Sequence, residues 1–289
     1  MLRMRDMFKR WLSFLSLAGI ALVASVTRAA AEAAVGQAHP WQIDLQTAFS
    51  PVMGRIHDFH QLVLVIITAI VLVVLCILTY IIVRFNSAKN PVPSKTSHNT
   101  LLEFVWTVVP VIILVVIAVP SLKLLYFANV APQYDMTLKV TGHQWYWSYT
   151  YPDHGDFSFD SIPIPADDLQ PGQPRLLSVD NPVVLPVGAT VQVLVASDDV
   201  IHNWAVPSLG LKKDATPGRL NETWVRVEQE GVFYGMCSEL CGVNHYFMPI
   251  QVLGVSKEAF AAWVEQSKEK FAKRDGARVD LATNDPASR

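Results

Sequence analysis

Charge is scarce in this chain: Asp, Glu, Lys and Arg make up 17% of its 289 residues, against roughly 25% in ordinary soluble domains. With 51% of residues hydrophobic, the shortage excludes a uniformly soluble protein. It is concentrated in two runs, Leu62 to Val83 and Phe104 to Leu122, that hold no charged residue at all. Each approaches or exceeds the roughly 20 residues needed to cross a bilayer as a helix. Pro110 and Pro120 in the second run are tolerated in lipid-embedded helices. The loop between the runs lacks acid: it carries Arg84, Lys89 and Lys95, and no Asp or Glu before Glu103. Positive residues stay inside, so the N-terminus and everything after Lys123 are expected on the outer side. Arg3, Arg5, Lys9 and Arg10, the apolar stretch Trp11 to Val26 and Ala29-Ala30-Ala31 have the order of a secretory signal peptide. The expectation is a signal over 1–31, an outer segment over 32–61 and a transmembrane hairpin over 62–126, with spans at about 62–83 and 104–123.

Helical periodicity is absent from about Met136 to Val255, which excludes a helical bundle there. Short β-branched or alternating runs take its place: Met136 to Tyr151, Val183 to Ala196, Thr223 to Val227, Val232 to Cys237 and Phe247 to Val255. Turn clusters such as Pro152-Asp153-His154-Gly155-Asp156 separate them. An antiparallel sandwich or a small Greek-key barrel over 135–255 is the natural class. Lys257 to Lys273 reads as a terminal amphipathic helix with Phe260, Trp263, Val264 and Phe271 as an interrupted stripe, and Arg274 to Arg289 as a polar, frayed tail. Bases are also few here. Residues 127–256 hold 14 acids against 6 bases, a net charge of −8. Such a surface excludes nucleic acid as a partner and suits a basic protein.

Cysteine is too rare for a disulfide framework, with three in the chain. No C-x-x-C-H occurs, which excludes a fused cytochrome c domain, so no haem is expected on this chain. Cys76 lies within the first run. The other two belong to Cys237-Ser238-Glu239-Leu240-Cys241-Gly242-Val243-Asn244-His245-Tyr246-Phe247-Met248, that is C-x3-C-x3-H-x2-M. Spacing alone leaves a Cys237–Cys241 disulfide open, as an exported domain would favour. Zinc is a second possibility, although it has little use for Met. Thiolate, thioether and imidazole together select copper, and two thiolates can bridge two ions where a mononuclear blue site takes one. A second imidazole is then needed from elsewhere. His202, in Asp199-Val200-Ile201-His202-Asn203-Trp204 at the end of an expected strand, is the best candidate.

The segment C-S-E-L-C-G-x-x-H-x-x-M-P at 237–249 resembles the copper-A loop of the cytochrome c oxidase subunit II family. Asp199 to Trp204 with Val206-Pro207-Ser208-Leu209-Gly210 is similar to that family's histidine segment, and Asp214 with Pro217 to Asn221 continues it. Gly142-His143-Gln144-Trp145-Tyr146-Trp147-Ser148-Tyr149 resembles its aromatic segment, so the likeness covers roughly residues 40–265. It implies a membrane-anchored all-β protein, a two-helix transmembrane hairpin followed by a cupredoxin-like Greek-key β-sandwich. It further implies a copper-A centre held by His202, Cys237, Cys241, His245, Met248 and the backbone carbonyl of Glu239. The Glu239 side chain would hold a magnesium ion shared with subunit I.

Trp145 would be the entry point for electrons from cytochrome c, with Asp153, Asp156, Asp160, Asp198 and Asp199 as docking acids. Thr150 and Gly155 stand where family members often carry further acids. Glu103 matches the acid at the mouth of a proton channel. The implied partners are cytochrome c, subunit I with its haem and copper B, subunit III and the lipid bilayer, and no nucleic acid. The implied location is the bacterial inner membrane, multi-pass, with the C-terminal domain in the periplasm. A membrane-tethered copper-delivery protein is the rival reading. It has no use for Trp145, the acids or Glu103, and would show Met- and His-rich repeats.

Overall fold

The computed structural model of the protein describes residues 36–281, so the expected signal over 1–31 lies outside the described residues. Helix α1 (Pro51–Arg84) begins at Ser50, whose side chain accepts from Met53 N–H, and Pro51 occupies the first turn, where its missing N–H costs nothing. Helix α2 (Thr100–Asn129) begins at Asn99, which accepts from Leu102 N–H. Both caps lie outside the expected spans of 62–83 and 104–123, so each helix extends beyond its charge-free run. Apart from Val52 and Met53, no residue of either helix is buried. These apolar helices of 34 and 30 residues leave a broad exposed surface that only lipid or another apolar protein can cover.

Ten strands follow: β1 (Met136–His143), β2 (Tyr146–Tyr151), β3 (Phe157–Ser161), β4 (Val183–Pro186), β5 (Val191–Ser197), β6 (His202–Val206), β7 (Leu211–Ala215), β8 (Asn221–Val225), β9 (Gly231–Cys237) and β10 (Pro249–Val255). They form two five-stranded sheets, ordered β3-β2-β1-β5-β8 and β4-β10-β9-β6-β7. The sandwich stands as expected, but it is not purely antiparallel: β1 pairs with β5, and β4 with β10, in parallel. After β3 the chain crosses to the second sheet as β4 and returns as β5 beside β1, and such crossings bring strands of the same direction together. The expected single strand from Met136 to Tyr151 is a hairpin, folded at Gln144-Trp145 with His143 opposite Tyr146.

The core holds large aromatics, and the polar atoms of Trp204, Tyr149 and Tyr151 have partners, whereas Trp147 Nε1 has none among the described residues. Trp204 Nε1 donates to Tyr149 OH at 3.2 Å. Tyr151 OH donates to Val184 O at 3.0 Å and accepts from Val184 N at 3.1 Å, joining the two sheets. Burial pushes the Tyr151 phenol far up, so it stays a neutral donor. Tyr151→Phe would leave both Val184 groups unsatisfied, and the expected loss is about 1–3 kcal/mol in denaturant unfolding.

Helix α3 (Lys257–Leu281) packs against the edge strands β3 of the first sheet and β4 of the second, with Phe260, Val264 and Phe271 buried and Trp263 edge-on to Tyr151 at 5.2 Å. It runs past Lys273 into the stretch expected to fray, since nothing from Arg274 to Leu281 other than Gly276 disfavours a helix.

The hairpin and the sandwich meet in a joint. The Arg55 guanidinium lies 3.4 Å from the centre of the Phe127 ring, and Trp224 stands edge-on to that ring at 5.2 Å. Trp224 Nε1 donates to Phe127 O at 2.8 Å, and Thr223 Oγ1 to Ala128 O at 3.2 Å. On the α1 side, Ser50 Oγ donates to Leu209 O at 2.7 Å.

Candidate metal centre

His202 opens β6 and Cys237 ends β9, and the antiparallel register that sets Trp204 opposite Cys237 brings them to one end of the sandwich. The loop after Cys237 folds back on itself because Cys237 N donates to Met248 O at 2.9 Å and Ser238 N to Asn203 O at 3.1 Å. Gly242 turns the loop with φ of +119°, and a Cβ there would stand 3.0 Å from both the Gln144 amide and the Trp145 ring. This position needs glycine for its backbone conformation and for space.

The donor atoms converge. Cys237 Sγ and Cys241 Sγ are 3.8 Å apart and unbridged. His202 Nδ1 is 3.9 Å from Cys237 Sγ, and His245 Nδ1 is 3.7 Å from Cys241 Sγ. Met248 Sδ lies 4.0 Å from Cys241 Sγ, and the Glu239 carbonyl 3.3 Å from Cys237 Sγ. His202, Cys237 and Cys241 are buried, with donor atoms all within 4.8 Å of one another. Two ligands of one ion, each about 2.0–2.3 Å from it in tetrahedral geometry, stand roughly 3.5 Å apart. The spacing and the soft donor set therefore fit metal, and two sulfurs each flanked by an imidazole fit a pair of ions.

Electrostatics splits the thiols. Burial alone would raise Cys237, but hydrogen bonds with His202 and with the backbone at Asn203 and Glu239 outweigh it and hold it below the usual thiol range. Burial and the charge of Cys237 push Cys241 up. Burial opposes the charged form of His202, yet Cys237 and Asp199 together raise it above the usual imidazole value.

Around the ligands, the structure separates the expected docking acids. Asp199 Oδ1 is 2.8 Å from His202 Nε2, and Gln144 N donates to Asp199 Oδ2 at 2.6 Å. Trp145 is half-buried, and its Nε1 donates to Cys241 O at 3.1 Å; the Gln144 amide donates to the same oxygen at 2.7 Å. Asp198 lies 3.8 Å from His143 Nδ1, and Asp160 accepts from Ser148 Oγ at 2.7 Å; both adjoin the hairpin that carries Trp145. Asp153 and Asp156 do not. They sit in the β2–β3 turn beyond the Tyr151–Phe157 pair, at the far end of β2 from Trp145, where Asp153 accepts from Thr137 N at 2.6 Å.

Glu239 is exposed beside the ligands. Glu103 lies at the other end of α2, where its carboxylate accepts from Asn99 N at 3.2 Å and completes the helix cap. Two residues not expected from sequence shape the site. Gly142 gives room to the His202 ring, which a Cβ there would meet at 2.8 Å, and Gln144 bridges Asp199 and Cys241. The spacing Asp-x-x-His at 199–202 is the signal that could have placed a carboxylate beside the ring.

Known proteins resemble this chain over most of its length. The family model for the cytochrome c oxidase subunit II periplasmic domain matches residues 136–255, and that for the subunit II transmembrane domain matches 38–124. A probable cytochrome c oxidase subunit 2 of Rickettsia bellii is 55% identical over 245 residues, 85% of this chain and 90% of that protein. Cytochrome c oxidase subunit 2 of Oenothera berteroana is 48% identical over 233 residues, 78% of this chain and 90% of its own. The crystal structure of the periplasmic domain of subunit II of cytochrome oxidase from Bradyrhizobium japonicum matches at 54% identity, covering 49% of this chain and 99% of that one, with a TM-score of 0.46.

Proposed function

The chain belongs to the cytochrome c oxidase subunit II family, a membrane-anchored component of a haem-copper terminal oxidase, and from that footing we propose that electrons from reduced cytochrome c enter the oxidase through it. They pass on to haem in subunit I, where oxygen is reduced to water and protons are pumped. His202, Cys237, Cys241, His245, Met248 and the Glu239 carbonyl would hold two copper ions. When bound, the pair supplies a one-electron carrier whose charge is spread over both metals and both sulfurs. The observation that carries this reading is the pair of unbridged thiols 3.8 Å apart, each with an imidazole Nδ1 within 3.9 Å.

The other residues prepare that centre. Burial of His202, Cys237, Cys241 and Met248 keeps water from the ligands, and the backbone bonds of the loop hold the donors in place before loading. Trp145 connects the outer face to the ligand loop through its hydrogen bond to Cys241 O, a direct contact for electron entry. Asp160 and Asp198 supply negative field near that indole, suited to a basic cytochrome c. Asp153 and Asp156 act only at longer range. The exposed Glu239 carboxylate would face subunit I and share a magnesium ion with it, and Glu103 would stand at the mouth of a proton channel in subunit I. Subunits I and III would cover the apolar helices. Multi-pass insertion in the bacterial inner membrane, with the sandwich in the periplasm, completes the reading.

Copper content and electron paramagnetic resonance of the full chain in detergent test it. Two coppers per chain, with hyperfine structure from one electron shared over two nuclei, are expected. One copper with a four-line spectrum, zinc, or a Cys237–Cys241 disulfide would remove the reading. Loading should also depend on pH. Cys241 and His202 are both raised, so each keeps its proton to higher pH and must lose it to bind metal. Apparent affinity should therefore rise with pH, by about tenfold per unit for each proton displaced. Calorimetry in buffers of different ionisation enthalpy counts those protons.

A further inference from the structure

We propose that Asp199 is a positioning residue that orients His202 and ties the Trp145 hairpin to the ligand set, and not chiefly a docking acid. The proposal rests on the copper reading above. A carboxylate only accepts hydrogen bonds, so the ring nitrogen facing Asp199 Oδ1 at 2.8 Å, Nε2, carries the proton. In the neutral ring Nδ1 then has the lone pair, and it points at Cys237 Sγ, 3.9 Å away. A ligating histidine typically has its other N–H held by a carboxylate or carbonyl in this way, which fixes tautomer and ring plane.

Two further contacts fix the ring. Gly142 lies so close that a Cβ would reach Cδ2 at 2.8 Å, and Trp147 stands edge-on with centroids 5.9 Å apart. The carboxylate is itself clamped: Val200 N donates to Oδ1 at 2.6 Å and Gln144 N to Oδ2 at 2.6 Å. Gln144 in turn donates through its side chain to Cys241 O, the oxygen that also receives the Trp145 indole N–H. One carboxylate thus links a ligand from β6, the β1–β2 turn and, through Gln144, the cysteine loop.

Exposure separates Asp199 from its neighbour. Its side chain is 31% exposed, whereas that of Asp198 is 69% exposed. Oδ1 is the more heavily used oxygen, facing His202 Nε2 and accepting from Val200 N, while Oδ2 accepts from Gln144 N, so the carboxylate's closest partners lie within the site.

The test compares Asp199→Ala and Asp199→Asn with the unaltered full chain in detergent, and in the assembled oxidase. Copper affinity is read by chelator competition, the His202 tautomer by nitrogen chemical shifts in the copper-free chain, and KM and kcat with cytochrome c. Asp199→Ala is expected to weaken copper binding by about 10–100-fold. In the copper-free chain, at a pH where His202 is neutral, it should shift the ring from a single Nε2–H form to a mixture. Asp199→Asn, whose amide oxygen can still accept from Nε2, should restore most of the affinity and the single tautomer. Unchanged copper affinity and tautomer in Asp199→Ala, with only KM raised, would make it a docking acid and overturn the proposal. Equal loss in both variants would assign the effect to charge and overturn it as well. Should the unaltered chain fail to take up two coppers, the copper reading falls, while the copper-free tautomer still decides whether Asp199 orients His202.

Discussion

Cys237→Ala in the assembled oxidase is expected to lose the two-copper signal and to lower cytochrome c oxidation by more than about a hundredfold. Altering a group that merely orients a ligand typically costs 10–100-fold in metal affinity, and removal of a residue that would itself hold the metal exceeds that. The sandwich should survive, because the hydrogen bond from residue 237 to Met248 O is made by the backbone and stays. Lost copper with thermal unfolding close to that of the unaltered, copper-free chain is therefore the expected pattern. Oxidation of cytochrome c at the original rate in a variant that holds no copper would show that electrons do not enter here.

The second large effect is on folding. Gly235 lies in β9 where β6 passes closest, and a Cβ there would overlap the Ala205 carbonyl and come within 3.1 Å of Val206 Cα. The obstruction is backbone, so no rotamer change relieves it. Overpacking costs typically 1–3 kcal/mol, occasionally more, and a clash with backbone belongs at the upper end. Gly235→Ala should lower the unfolding temperature by roughly 10 °C in a scan of the detergent-solubilised chain. Since β6 carries His202 and β9 carries Cys237, the same variant should lose metal. Gly54 provides the control: nothing comes within 4 Å of a Cβ there, so Gly54→Ala should leave unfolding unchanged.

The hairpin and the ligand loop were legible in sequence for a shared reason, that their information is local. Absence of charge marks a span without reference to any other residue, and four of the five side-chain donors fall within 237–248. His202 needed a guess about which strand end lies beside that loop, and the β6–β9 register supplies it. The parallel pairs β1–β5 and β4–β10 were not legible, because alternation in a strand records which face is buried and not the direction of its neighbour. The break at Gln144-Trp145 was hidden for another reason: burial shifts from even positions, Leu138 and Val140, to odd ones, Trp147 and Tyr149, and three successive aromatics at 145–147 mask that change of phase. The role of Asp199 stayed concealed because the residue it anchors, Gln144, is 55 positions away. Glu103 reads as a functional acid in sequence, and the structure adds its ordinary task of capping α2.

The joint formed by Arg55, Phe127 and Trp224 bears on how this protein tolerates change. Six residues, 130–135, connect the end of α2 to β1, and they would seem to govern how high above the bilayer the sandwich is carried. They do not have to. The sandwich is seated on the helix ends by side chains from β8 and by carbonyls of the last helical turn, so its height and heading are inherited from that seat. The connecting segment is thereby released from any duty as a ruler. Its length, and its composition apart from Asp135, which is tied to Thr190 by two hydrogen bonds, are free to drift, whereas Trp224 is not.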